Sequence, residues 1–277
     1  MAAPPRDYDA TYRDFDSPLK RRLRAEAYGE DIGQHSWVTA SELRGDLPRL
    51  KLSPGSRLLD LGCGPCGPLT FLLREAGCRG TGVDRSGAAL ESGKARGEAL
   101  GVADRLTVRE TDLDDALPFE DGSFDAVTAL DTVLHVDDRE RLFTDAARVT
   151  VPGGRLLFTD AAVLVGPMSH EETDARTAYG RSRFVEPGAN ERALEAAGWS
   201  LLETEDRTAS VVRHASGRLE AALAHRGELE EMSGAEEFER QARYLVTVIE
   251  LARRRALLRL MYLAEKTPGP RPEGGAP

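Results

Sequence analysis

The chain has 277 residues, 40% of them hydrophobic, and a formal net charge of −10, with an isoelectric point near 5.2. That length and apolar fraction suit one large domain, or one domain with a substantial elaboration. The acidic balance argues against a nucleic-acid backbone as partner, no apolar run is long enough to span a membrane, and Met1–Tyr8 has no apolar signal core, so a cytoplasmic protein is expected.

In chain order, Tyr8, Tyr12 and Phe15 are spaced three or four apart, as a short docking helix or an aromatic flap over a pocket. Residues 18–28 carry Leu19, Leu23 and Tyr28 among basic residues and read as an amphipathic helix. A loop over 28–37 follows, with Ser36 placed to cap a second helix running to Leu47. From Leu50 the pattern becomes strand and helix in alternation. Strands are predicted over Arg57–Leu61, Gly80–Asp84, Leu106–Glu110, Ala126–Leu130 and Arg155–Thr159. Helices are predicted over Leu69–Ala76, Ala88–Leu100 and Arg139–Val149, with Gly77 and Gly101 as stops. Such intervals suit parallel βαβ units, which bind ligands beyond the strand C-terminal ends.

After Asp160 the alternation breaks. A mixed stretch over 161–186 precedes a helix over Glu191–Ala197 and a strand over Trp199–Thr204. Helices are predicted over Arg218–Glu231 and Glu236–Arg255. Leu257–Ala264 either continues the last helix or forms a final strand, and the strand is favoured. The Pro- and Gly-rich tail from Thr267 is expected to be disordered. The resulting division is an N-terminal helical lid over 1–49, a Rossmann-like core over 50–160, a substrate-side insertion and completion of the sheet over 161–266, and the tail over 267–277.

The glycine loop after the first strand carries the chemistry. Leu58–Leu61 leads into Gly62, Gly64 and Gly67, and an apolar helix follows. This is a strand, a tight loop and a helix N-terminus, where glycine lets a ligand approach the backbone. The spacing Gly62-x-Gly64-x-x-Gly67, with Asp84 at a ribose-binding distance, also matches a dinucleotide fingerprint, so an NAD-dependent oxidoreductase is one reading. Asp60 opposes it, since a carboxylate beside the loop repels a pyrophosphate. Asp60, Asp84, Asp112, Asp131 and Asp160 all fall at or just past predicted strand ends. Asp84 and Asp112 could alternatively serve as a helix cap and a turn cap. Cys63 and Cys66 have the spacing of a redox pair or half a zinc site, but there is no second cysteine pair, only Cys78. Metal-independent chemistry is expected.

These residues resemble the class I S-adenosylmethionine-dependent methyltransferases, in the small-molecule branch that includes glycine- and sarcosine-type and natural-product enzymes. The likeness rests on Leu59-Asp60-Leu61-Gly62-Cys63-Gly64-Pro65, Gly82-Val83-Asp84, Thr111-Asp112-Leu113, Pro118–Asp125, Leu134-His135-Val136 and Pro152–Leu156. It covers roughly residues 50–160, and Ala197-Gly198-Trp199 extends it. The resemblance implies a seven-stranded, mostly parallel α/β sheet with one antiparallel strand near the C-terminus. It implies S-adenosylmethionine as cofactor, with Asp60, Gly62, Gly64 and Pro65 around the methionine portion. Asp84 would hold both ribose hydroxyls, Arg85 beside it would also contact the cofactor, Asp112 would read the adenine amino group with Leu113 packed near the ring, and Asp131 would line the methionine or substrate end. The piece Tyr28–Ile32 is similar to small-molecule members in which a lid covers the site, which makes Tyr12 and Trp37 candidates for closing the pocket.

On the acceptor side, His135 is the candidate base, because an imidazole titrates near neutrality. The alternative is a structural histidine. His170, Tyr179, Arg181 and Arg183 lie in the insertion, where the arginines could bind a carboxylate or phosphate, or simply form a solvated loop. Residues 215–255 either roof the pocket or form a subunit interface, so a homo-oligomer is allowed. No Asn/Asp-Pro-Pro-aromatic motif follows Leu130, which argues against a nucleobase acceptor. The expectation is methyl transfer to O or N of a small metabolite, in a composition compatible with bacterial specialised metabolism. A binding module that keeps the cofactor residues without turnover is the competing class.

Overall fold

The computed structural model describes Asp9 and residues 12–267. Tyr8 and the tail beyond Thr267 lie outside the described residues. Seven strands form one sheet: β1 (Arg57–Leu61), β2 (Arg79–Asp84), β3 (Leu106–Glu110), β4 (Phe124–Leu130), β5 (Thr150–Leu164), β6 (Trp199–Asp206) and β7 (Leu257–Lys266). Their order is β3-β2-β1-β4-β5-β7-β6. β1 to β5 pair in parallel, and β7 runs antiparallel between β5 and β6. The order reverses between β1 and β4, so a crevice opens where both strands end, the place where such sheets bind ligands.

β1 and β4 are apolar nearly throughout because both sheet faces are covered. On one face α1 (Pro18–Tyr28) is followed by α2 (Ala40–Leu50), and Leu43 and Leu50 of α2 pack with Leu58, Leu69 and Leu72. α3 (Gly67–Ala76) and α4 (Gly87–Ala99) flank β2 on that side. On the other face α5 (Arg139–Val149) buries Leu142, Phe143 and Ala146 against Phe158 and Tyr262.

After β5, α6 (His170–Thr177) and α7 (Ala189–Ala196) lead to β6. Then α8 (Thr208–Ala224), α9 (Arg226–Ser233) and α10 (Ala235–Arg253) form a helical layer before β7. α8 packs on α1 and α10, which joins this layer to the N-terminal segment. Gly217 makes the α8 contact close: a Cβ there would stand 2.9 Å from the Ala27 carbonyl oxygen.

Several sequence expectations need correcting. Thr39, not Ser36, caps α2 by accepting from the Glu42 N–H, and that helix runs to Leu50. The single helix expected over 218–231 is two, and the first begins ten residues earlier, at Thr208. β5 extends from Thr150 to Leu164, with the turn residues 152–154 as an irregularity beside Phe124 and Ala126.

Candidate cofactor and acceptor site

β1 ends between two neighbours, with Asp60 in register with Gly82 of β2 and Thr128 of β4. Asp60 is 3% exposed and accepts from the Thr128 hydroxyl at 2.8 Å. Burial pushes its carboxyl up to about 7, and the nearby Asp84 charge pushes the same way. The loop then turns through left-handed backbone at Gly62 (φ 68°), Gly64 (φ 52°) and Cys66 (φ 56°). The Gly62 and Cys63 N–H groups donate to the Val83 carbonyl. A Cβ on Gly62 would lie 2.4 Å from Thr132, and one on Gly64 would lie 3.2 Å from the Tyr12 hydroxyl. The third glycine has a different job. A Cβ on Gly67 would stand 2.2 Å from the Gly33 carbonyl oxygen, so Gly67 lets the N-terminal segment seat against α3. Pro65 is buried, and its carbonyl accepts from Arg96, which in turn reaches Asp16.

Asp84 ends β2. Its Oδ2 accepts from the Gly64 N–H and its Oδ1 from the Ser86 N–H, both at 2.9 Å. Burial raises its carboxyl, and those backbone donors pull it back. Ser86, not Asp84, is the N-cap of α4. Asp112 lies two residues past β3, and its Oδ1 accepts from the Asp114 N–H. Its Oδ2 is 3.6 Å from Arg85, with both side chains well exposed. Leu113 is buried in the core behind it.

Asp131 follows β4 in left-handed conformation, φ 54°. Both oxygens of its carboxylate are engaged by this chain. Oδ1 accepts from Thr159 and from Arg259 Nε, and Oδ2 accepts from the Trp37 N–H. Arg259 on β7 is 1% exposed and also clasps both oxygens of Glu42. The sequence reading missed Arg259 and Glu42, whose partners lie far away in the chain. The only available signal was an arginine inside the apolar run Leu257–Ala264.

His135 closes a 3₁₀ turn over Val133–His135. Its Nδ1 lies 2.5 Å from the Arg181 carbonyl oxygen. A carbonyl only accepts, so Nδ1 carries the proton and Nε2 is the basic nitrogen of the neutral ring. Arg181 and Arg183 both engage Asp137, holding its carboxyl below the ordinary range, with Arg183 the stronger influence. The Arg183 N–H donates to the Leu134 carbonyl. These two arginines thus strap the insertion to the His135 turn. Tyr179 donates to Glu237 of α10. His170 is exposed at the first turn of α6, behind a capping box built by Ser169 and Glu172. The structure therefore brings Tyr12, Asp60, Gly62, Gly64, Pro65 and Asp84 together around the loop, and links Trp37 to Asp131. It gathers His135, Arg181 and Arg183 at the neighbouring turn and leaves His170 on the surface.

The loop fits S-adenosylmethionine. Glycine at 62 and 64 keeps the loop backbone bare, where a Cβ would meet Thr132 and Tyr12. Asp84 and Asp112 each have acceptor capacity beyond the single backbone bonds their oxygens make, which suits a ribose diol and an exocyclic amine. Among the described residues no cluster of three His, Cys, Asp or Glu could hold a metal ion. Among the same residues no helix is long and apolar enough to cross a membrane.

Comparisons with known proteins agree. The methyltransferase domain family matches residues 59–158. Methyltransferase GfsG of Streptomyces halstedii is 35% identical over 57% of this chain and 58% of its own length. The chain thus spans little more than half of that relative. The sarcosine/dimethylglycine N-methyltransferase of Halorhodospira halochloris is 30% identical over 69% of this chain and 68% of its own. The phosphoethanolamine N-methyltransferase 2 of Haemonchus contortus, solved with S-adenosyl-L-methionine, shares the fold at a TM-score of 0.79 and 20% identity, covering 96% of this chain and 61% of that one. With its glycine loop, strand-end carboxylates and 3-2-1-4-5-7-6 sheet, the chain belongs to the class I S-adenosylmethionine-dependent methyltransferases.

Proposed function

We propose that this protein transfers a methyl group from S-adenosylmethionine to an oxygen or nitrogen of a small metabolite. When bound, the cofactor supplies an electrophilic methyl carbon whose leaving group is S-adenosylhomocysteine. The observation that carries the reading is the junction of β1 and β2: Asp84 accepts from the Gly64 N–H, so ribose-binding carboxylate and glycine loop are one rigid unit. In this reading Asp84 holds the ribose hydroxyls, with Arg85 and Asp112 flanking the adenine. Asp60, buried beside the loop with its carboxyl raised to about 7, gives up its proton to face the cofactor's ammonium as a carboxylate. Gly62 and Gly64 admit the methionine portion, with Pro65 fixing the turn behind them.

The acceptor is aligned from the β4 side. Trp37 and Tyr12, both buried, form the inner surface of an N-terminal lid. Tyr12 covers Gly64, and Trp37 is tied to Asp131. Such cover excludes water and fixes orientation, which is most of what a displacement at an activated carbon needs. His135, through Nε2, takes the proton from a hydroxyl acceptor, and an amine in its neutral form needs no such help. Arg181 and Arg183 set the His135 turn, and Tyr179 sits at the outer wall. The direct test is turnover. The full chain with S-adenosylmethionine and a library of small hydroxyl and amine compounds should release S-adenosylhomocysteine with at least one of them. Cofactor binding without release across metabolite extracts would support the binding-module alternative, and NAD binding would support the oxidoreductase.

A further inference from the structure

Arg139 opens α5, where the positive end of the helix disfavours a cation. Its side chain nevertheless turns inward, 10% exposed, against Asp160, whose carboxylate has no exposed surface. The guanidinium fork meets three acceptors at once. Nη1 donates to Asp160 Oδ2 at 2.8 Å and to Asn190 Oδ1 at 2.7 Å, and Nη2 donates to the Arg183 carbonyl at 2.9 Å. Asn190, buried in the first turn of α7, donates its own amide to Asp160 Oδ2 at 2.9 Å. The other Asp160 oxygen accepts from the Ala162 N–H. α5, β5 and α7 are thereby joined around one ion pair, and a buried network whose members bond one another is rigid.

The Arg183 carbonyl is where this network meets the acceptor side. Residues 181–184 have no helix or strand of their own. The segment is held at three further points. The Arg183 N–H donates to the Leu134 carbonyl at 2.7 Å, the Arg181 carbonyl accepts from His135 Nδ1 at 2.5 Å, and the Val185 N–H donates to the Ala162 carbonyl at 3.0 Å. The Arg181 and Arg183 side chains also reach Asp137, but these three side chains are 49%, 52% and 41% exposed. Exposed ion pairs contribute little to fixing a segment. The buried Arg139 is the firmer anchor.

We propose that Arg139 is a positioning residue for His135: by holding the Arg183 carbonyl it keeps the Arg181 carbonyl against Nδ1, so that the neutral ring carries its proton there and presents Nε2 as the base. An unrestrained imidazole prefers its proton on Nε2, and the hydrogen bond made by Nδ1 reverses that choice. A lysine at 139 would keep a charge for Asp160 but lose the planar fork whose second nitrogen reaches Arg183. The bearing on catalysis rests on His135 acting as base in the proposed methyl transfer. The place of its proton does not depend on that reading.

The test reads the tautomer directly, by long-range proton–nitrogen correlation spectra of the full chain labelled at its histidine nitrogens. Spectra are taken without cofactor or acceptor at about pH 8.5, where imidazoles are neutral. His135→Gln identifies the signal among the five histidines. The parent should show about nine-tenths or more of the Nδ1–H form. Arg139→Lys, and the neutralised pair Arg139→Met with Asp160→Asn, should lower it to about half or less, as the hydrogen bond at Nδ1 is lost. Asp137→Asn should keep the parent signal. So should Arg207→Lys, which disturbs the equally buried Arg207–Asp46 pair and reports what lost stability alone does. An Nε2–H form in the parent overturns the proposal, and so does an Nδ1–H form that persists in both Arg139 variants. Equal loss in Asp137→Asn or in Arg207→Lys also overturns it, by assigning the effect to the surface pair or to general loosening. If the tautomer responds as expected but no acceptor yields S-adenosylhomocysteine, the methyltransferase reading fails and the placing of His135 stands.

Discussion

Replacing Arg259 by methionine tests how the acceptor side is held together. The Arg259 side chain has no exposed surface, and its partners Asp131 and Glu42 have 5% and 15% of their side-chain surface exposed. Burial opposes the guanidinium's charge, but Asp131 and then Glu42 more than restore it. Methionine fills similar volume and leaves two buried carboxylates without their cation. Breaking a buried pair in this way costs about 3–5 kcal/mol. At roughly 2–4 °C per kcal/mol for a large domain, Tm should fall on the order of 10 °C. Arg57→Met provides the comparison, because Arg57 and Asp125 form an exposed pair with 48% and 38% of their side-chain surface in solvent. That loss should stay within about 1 kcal/mol. Calorimetric unfolding of both variants, and of the neutralised set Arg259→Met, Glu42→Gln, Asp131→Asn, completes the experiment. The triple variant should recover much of the loss, since no charge is then stranded. If Arg259→Met unfolds no lower than Arg57→Met, the Arg259–Asp131–Glu42 cluster does not stabilise the fold as argued.

Other outcomes follow from single residues. Asp60 has its carboxyl raised from 3.8 to about 7 by burial. The folded state therefore holds a proton that the unfolded state has lost. Stability should fall as pH rises from about 4 to about 7, at up to about 1.4 kcal/mol per pH unit from this group. Asp60→Asn should flatten that part of the profile in denaturant titrations, and an unchanged slope would assign the proton elsewhere. Gly67→Ala places a methyl 2.2 Å from the Gly33 carbonyl oxygen, so it should loosen the N-terminal segment. Faster proteolysis near residues 30–35 would show this, and parental resistance would refute it. His135→Ala should slow the chemical step on a hydroxyl acceptor by about 10²–10⁴-fold with cofactor affinity little changed. Unchanged single-turnover rates would remove His135 from the mechanism.

The parallel core was legible because its signals are local. Apolar runs ending in Asp60 and Asp84, with Gly77 closing α3 and Ser86 capping α4, place β1, β2 and their helices within a residue or two. The start of α8 was not. Residues 208–217 carry Thr208, Ser210, paired valines and Gly217, a poor helix former by propensity. Tertiary packing overrides that propensity, and Gly217 is there because the backbone of α1 presses on it. The acceptor side was hidden for a related reason. Trp37, Asp131 and Arg259 come from three distant segments, and no spacing rule connects them. Arg181 and Arg183 stand two residues apart as a pair of cations, yet their bonds run to Asp137 on the surface.

The central claim is that the β1–β2 junction holds S-adenosylmethionine, and calorimetric titration of the full chain with S-adenosylmethionine and, separately, with NAD tests it most directly. The account predicts micromolar binding of S-adenosylmethionine that is lost in Asp84→Ala and weakened in Asp112→Ala, with no heat from NAD. Binding of NAD alone, or S-adenosylmethionine affinity indifferent to Asp84→Ala, would contradict it.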